Sequence, residues 1–224
     1  LAPLGQQGQD QQPIAHAMTP ELLAADAKGY LEYSSGPTVE QLIASGKQFD
    51  RAHNTFVIPY HPHEENNESR LRWDALTPIR SLTVNSDAAV IGIPLTRQSQ
   101  LTDSHHFVFS DYEVRITSVL ADKNQILSAG ETIVVTRAGG AITLDGHNIR
   151  AVETEFQLFH LNTPYLFFLH RSASGSFSLK PSDAYMIDGD TVKSGRLHPI
   201  IENGSLPLSQ VTSAILTTAN GARQ

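Results

Sequence analysis

The sequence predicts a mainly β protein: a small closed or half-closed antiparallel barrel, an N-terminal helical extension and a short C-terminal helix. Three observations lead there. Between Asp87 and Val192, apolar residues come in short runs or alternate with polar ones, the period of a strand. Turn signals separate these runs, at Gly139-Gly140, Asp145-Gly146, Ser174-Gly175 and Asp188-Gly189. Helix signals flank the region on both sides, at Thr19-Pro20-Glu21 and after Pro207. The expected organisation is a disordered lead-in over 1–15 and a helical and loop extension packed on the barrel over 16–84. The barrel follows over 85–192, then a C-terminal loop and short helix over 193–224.

Leu1 to Pro13 is rich in Gln, Gly and Pro and has little to bury. Thr19 then caps a first helix, Pro20 suits its first position and Glu21 complements the dipole. Leu22, Leu23 and Ala27 lie near one face, and Gly29 is the stop. A second helix begins after Thr38, runs through Val39, Leu42 and Ile43, and ends at Gly46. Phe56-Val57-Ile58 reads as a short strand, and His61 to Arg72 as an exposed polar loop. Trp73, Leu76 and Ile79 return at helical spacing, but Pro78 interrupts them, and 74–84 is the least readable stretch.

The barrel pattern opens at Ala88. Tyr112, Val114 and Ile116 point one way and Glu113, Arg115 and Thr117 the other, a half-buried antiparallel strand. Gly139-Gly140 suggests a hairpin between Ile133–Thr136 and Ala141–Leu144, and Asp145-Gly146 another toward Ile149. Phe156, Leu158 and His160 share a strand face, which makes His160 a core histidine. Ser174-Gly175 separates the run Tyr165–Arg171 from Phe177–Leu179. Leu208, Val211 and Ile215 at three- and four-residue steps give the C-terminal helix, expected to cover an opening or an edge of the sheet. The expected core is Val90, Tyr112, Val114, Ile116, Val134, Leu166 and Phe168.

Composition excludes several activities. The 224 residues carry 16 Lys and Arg against 23 Asp and Glu, a net charge of −7 that repels a phosphate backbone, so nucleic-acid binding is not expected. No apolar run approaches the roughly 18 residues that span a bilayer. With no cysteine, disulfides, thiolate metal sites and thiol nucleophiles are ruled out. The chain opens on Leu1 rather than Met, ahead of the lead-in. A leader removed before such a segment gives the expectation of a secreted or periplasmic protein.

The run Ala88, Val90-Ile91-Gly92, then Tyr112-Glu113-Val114-Arg115-Ile116, then Thr132-Ile133-Val134-Val135, then Tyr165-Leu166-Phe167-Phe168-Leu169 resembles the tissue-inhibitor-of-metalloprotease and netrin-module group, and uncharacterised secreted bacterial proteins with the same strands. That resemblance covers about half the chain and implies an OB-like antiparallel barrel with flanking helices. It does not carry over the inhibitors' mechanism. They reach zinc through an N-terminal cysteine, and Leu1 stands at that position here.

The sharpest local chemistry is His61-Pro62-His63-Glu64-Glu65. In extended chain His61 and His63 face one side and offer two nitrogens to a metal, with Glu64 or Glu65 as carboxylate ligand or base. A third ligand has to come from elsewhere, and His53, His105, His106, His147 and His160 are the donors available. The plainer reading is a solvated loop. His105-His106 reads as surface at a hairpin end and His147 as a turn residue. Serine catalysis lacks its Gly-x-Ser-x-Gly elbow, and Gly139-Gly140 has neither the lysine nor the context of a phosphate loop. The expectation is therefore a non-catalytic binding module with no catalytic residue, cofactor or metal assigned, and with a protein, a glycan or a cell-envelope component as partner. The alternatives are a metal-dependent hydrolase using His61, His63 and Glu64, and a structural accessory protein.

Overall fold

The computed structural model describes residues 13–29, 36–60, 76–153, 158–194 and 205–221. In chain order the elements are α1 (Pro20–Gly29), α2 (Val39–Ser45), β1 (Phe49–Asp50), β2 (Thr55–Tyr60), α3 (Thr77–Asn85), β3 (Ala88–Leu101), β4 (Val108–Asp122), β5 (Thr132–Ala138), β6 (Gly140–Leu144), β7 (His147–Glu153), β8 (Tyr165–Arg171), β9 (Phe177–Leu179), β10 (Ala184–Asp188), β11 (Thr191–Ser194), β12 (Ser205–Pro207) and α4 (Leu208–Gly221).

Five strands close on themselves. β3 pairs with β4, β4 with β5 and β8 with β3, all antiparallel; β5 pairs with β9 in parallel, and β9 with β8 completes the ring. The fold is thus mainly β, an OB-like barrel with a short C-terminal helix, as expected. Closure removes the exposed edges that these strands would otherwise present. Inside lie Val90, Tyr112, Val114, Ile116, Ile133, Val135, Tyr165, Phe167 and Phe177, all buried. The alternation along β4 holds: Arg115 and Thr117 are exposed while Val114 and Ile116 have no exposed surface.

β3 and β4 bend hard enough to serve the whole molecule. Their register shifts at Ala89/Val90, Ile91/Gly92 and Pro94/Thr96, and each bulge sharpens the local twist. Gly92 sits at one of them because a Cβ there would lie 2.6 Å from Cγ1 of Val114.

Three coverings surround the barrel. α3 and α4 lie over the outer side of β3, β8, β10 and β11, burying Ile79, Ala89, Leu166, Phe168, Val192, Val211 and Ile215. A small sheet, ordered β1-β2-β7-β6, builds a second core with α2 from Val39, Leu42, Phe56, Ile58, Phe107, Val108, Ile149 and Ala151. Residues 13–29 cover the third side.

Several local expectations need correction. Gly139-Gly140 does not close a hairpin: β5 and β6 belong to different sheets, and the glycines form the corner between them. The reason is close approach, since a Cβ on Gly140 would meet Oγ of both Ser99 and Ser110 at 2.6 Å. Pro78 does not interrupt a helix; it stands in the first turn of α3, where its missing N–H is no loss. His160 is exposed rather than core, and the buried residue beside it is Phe159. The boundary drawn at residue 15 falls inside a bonded segment. Ile14 packs on the barrel core, and Ala15 both donates to the Gly175 carbonyl at 3.0 Å and accepts from the Val134 N–H at 3.1 Å.

Candidate functional site: an acid and hydroxyl cluster beneath the first helix

α1 forms where its signals put it. Thr19 accepts the Leu22 N–H at 3.2 Å, and the helix runs from Pro20 to Gly29. Its inward face, however, is Leu22 and Asp26. A carboxylate at 5% exposure needs partners, and the barrel supplies hydroxyls. The turn between β8 and β9 places Ser172, Ser174 and Ser176 together, with Ser172 Oγ 2.7 Å from Ser176 Oγ. Ser174 and Ser176 both donate to Oδ1 of Asp26, Ser176 at 2.8 Å.

On the barrel wall, Asp111 of β4 lies opposite Thr136 of β5. Both project outward, away from the barrel interior, and Asp111 has no exposed surface. Thr136 Oγ1 sits 2.6 Å from Oδ1 of Asp111 and 3.5 Å from Oδ2 of Asp26, so one hydroxyl stands between two acids. Gln100 donates from Nε2 to Oδ2 of Asp111 at 2.7 Å and to the Leu23 carbonyl at 3.1 Å, tying α1 to β3.

The electrostatics follow from this geometry. Burial pushes Asp111 up to about 7; the Thr136 hydroxyl opposes that, the nearby charge of Asp26 adds to it, and Gln100 opposes it. Burial also raises Asp26, against the hydrogen bonds from Ser174, Ser176 and Thr136. No basic side chain is among the groups acting on either acid. Asp111 therefore keeps its proton up to near neutral pH, and the charge of Asp26 couples the two acids. Such an acid has the proton affinity of a general acid or base. It is roofed by α1, however, with Ser176 and Asp111 fully enclosed, so it acts inside the protein.

His61, His63 and Glu64 lie outside the described residues. Of the five proposed third donors, His105 and His106 share the loop between β3 and β4, and His53, His147 and His160 lie on other segments of the chain. His53 contacts Asp50 at 2.6 Å. His105 contacts Glu40 at 2.5 Å, which holds that carboxyl below its ordinary value. His106 neighbours His105 in the loop between β3 and β4, with its Nδ1 buried and without a hydrogen-bond partner. His147 meets the Phe56 ring edge-on, with centroids 5.6 Å apart, and His160 is exposed. Among the described residues no three His, Asp or Glu side chains converge on a point a metal ion could occupy.

Two further features bear on function. At one end of the barrel, Arg137 lies over the Phe159 ring, 4.6 Å from its centroid, close to Tyr112. Burial raises the Tyr112 hydroxyl, opposed by the charges of Arg137 and Arg97. On the small sheet, a shallow open depression of about 360 Å³ is lined by Thr55, Ile142, Thr143, Asn148 and Arg150, among others. The acid cluster was invisible to pattern reading, because its members are separated by up to 150 residues. The one local signal was the clustering of serines at 172, 174 and 176 around Gly175, where a turn gathers the three hydroxyls. No protein-family model and no curated protein matches the chain, so the roles of these features rest on their geometry.

Proposed function

We propose that the chain is a non-catalytic binding module of the secreted or periplasmic space, with a protein, a glycan or a cell-envelope component as its partner. One observation supports this above others. The groups best suited to proton chemistry, Asp26 and Asp111, are spent on internal hydrogen bonds beneath α1, whereas the open concave surface presents binding groups. Thr55, Thr143, Asn148 and Arg150 offer hydroxyl, amide and guanidinium donors around a shallow, partly apolar floor. Such a surface recognises polar ligands by hydrogen bonds without activating them. No helix among the described residues is long and apolar enough to cross a membrane.

The test has two arms. Purified chain is presented with envelope fractions and with a panel of immobilised glycans, alongside an Asn148→Ala, Arg150→Ala double variant. Binding lost in the variant supports this face, and binding retained moves the site elsewhere. In the second arm, chelator-treated chain is titrated with Zn²⁺ beside a His61→Ala, His63→Ala variant. Binding at one metal per chain in the micromolar range or tighter, abolished by the variant, would overturn the non-catalytic reading in favour of the hydrolase.

A further inference from the structure

We propose that residues 13–29 are a proton-latched strap over the outer face of β4 and β5, held tightly while the Asp26–Asp111 pair keeps a proton and opening more readily as the pair loses it. The grip of the strap is mostly polar. Of α1 only Leu22 and Asp26 are buried, and a ten-residue helix is marginal in water without its contacts. The remaining attachments are Ile14 against the barrel core, Ala15 to Gly175 and to Val134, His16 Nδ1 to the Thr132 carbonyl at 2.9 Å, the Met18 N–H to Glu113 at 3.1 Å, Gln100 to the Leu23 carbonyl, and the Asp103 N–H to the Ala27 carbonyl at 2.9 Å. Asp26 is the group that plugs the helix into the hydroxyl pocket.

The geometry makes that plug sensitive to protons. Two enclosed carboxyls flank one threonine hydroxyl, and that hydroxyl has a single hydrogen to donate. The short contact to Asp111 takes it. The longer contact to Asp26 is then filled only when one of the acids brings its own proton. With both acids ionised, two like charges remain enclosed around Thr136 with no cation to offset them, a state that burial and mutual repulsion disfavour. Lifting α1 hydrates both.

The charged neighbours do not compensate. On α1, Glu21 and Lys28 are exposed. On β3 and β4, Arg97 and Arg115 are exposed, and Glu113 is engaged by Met18 and Thr96. On β5, Arg137 turns into the barrel, over Phe159. Beyond the serine turn, His170 faces Asp183 at 3.2 Å. His16 of the strap itself lies 2.9 Å from the Thr132 carbonyl and 3.4 Å from Glu131, so its contribution is separated by experiment.

Native-state hydrogen exchange of the whole chain tests the latch. Protection of the amides from Leu23 to Lys28, corrected for intrinsic rate, reports strap opening, and protection at Val114 and Ile133 reports global unfolding. The opening constant should rise by about tenfold per pH unit above pH 4 and flatten near pH 7, where Asp111 ionises in place. Dilute urea should lower α1 protection less steeply than that of the core, because strap opening exposes less surface than global unfolding. Asp111→Asn and Asp26→Asn should each reduce the pH slope, and His16→Gln should keep it. Wild-type α1 protection that is flat with pH, or that falls with urea as steeply as the core does, overturns the proposal even if neither Asn variant folds. So does a slope abolished by His16→Gln.

Discussion

A carboxyl enclosed by protein with no cation acting on it is more stable with its proton than without, and Asp111 is in that position. Its folded value of about 7 lies above the ordinary 3.8, so between those two the native state holds a proton that the unfolded chain has lost. The stability it contributes is complete below the lower value and is lost as pH rises through the upper one. A gap of that size corresponds to an effect on the order of 4 kcal/mol. Asp111→Asn is accommodated if the Thr136 hydroxyl turns toward Asp26 and accepts from the new amide. We therefore expect the variant to melt above the wild type at pH 8, with the advantage shrinking or reversing at pH 5. Equal melting curves for the two proteins at both pH values would show that Asp111 is already ionised in the native state. A second residue acts by shape alone. Gly140 lies against Ser99 and Ser110, whose hydroxyls are 2.8 Å apart, that of Ser110 donating onward to the Gly139 carbonyl. Gly140→Val should cost about 1–3 kcal/mol by overpacking, read as a lower urea midpoint with unchanged slope.

At the scale of elements, what was legible depended on how local the signal was. α2 was written out in full: Thr38 and Gln41 form the capping box, and Gly46 ends the helix in the left-handed region at φ 63°. The hairpin between β6 and β7 was equally plain, because Asp145 and Gly146 take φ of 49° and 79°, values that Asp-Gly tolerates. α4 followed from its apolar spacing, and Val211 and Ile215 have no exposed surface. The failures share a cause. Gly139-Gly140 looked like a hairpin because glycine pairs mark turns, but the need for glycine came from Ser99 and Ser110, some thirty to forty residues earlier. α1 presented Leu22, Leu23 and Ala27 as its inward face, while the structure turns Asp26 in beside Leu22, one helical turn on. No hydrophobic pattern assigns a carboxylate to a core when its partners are serines far along the chain. The role of α4 is testable at this scale. Ile215→Ala removes a fully buried side chain between helix and sheet, and should cost about 2–5 kcal/mol. A midpoint unchanged by that substitution would mean that α4 only rests on the barrel.

For the molecule as a whole, the question is whether a barrel and three coverings unfold together. The answer lies in the two long strands. β3 places Val90 in the barrel interior, Ala89 and Ile91 under α3 and α4, and Leu101 in the core of the small sheet. β4 does the same with Tyr112, Val114 and Ile116 inside, Leu120 and Ala121 under the helices, and Val108 in the small sheet. No apolar core can therefore be lost without stripping contacts from both strands, and their pairing is the longest among the described residues. The strap is the exception, since it attaches mainly by hydrogen bonds. The expectation is one cooperative urea transition for barrel, small sheet and helices, with far-ultraviolet dichroism and tyrosine fluorescence superimposing. Exchange should resolve α1 as a separate, lower-energy opening. Ile149→Ala, placed in the small-sheet core, should then lower the midpoint of the entire transition. A variant that melts the small sheet in its own earlier step, leaving the tyrosine signal in place, would show that the long strands do not couple the cores.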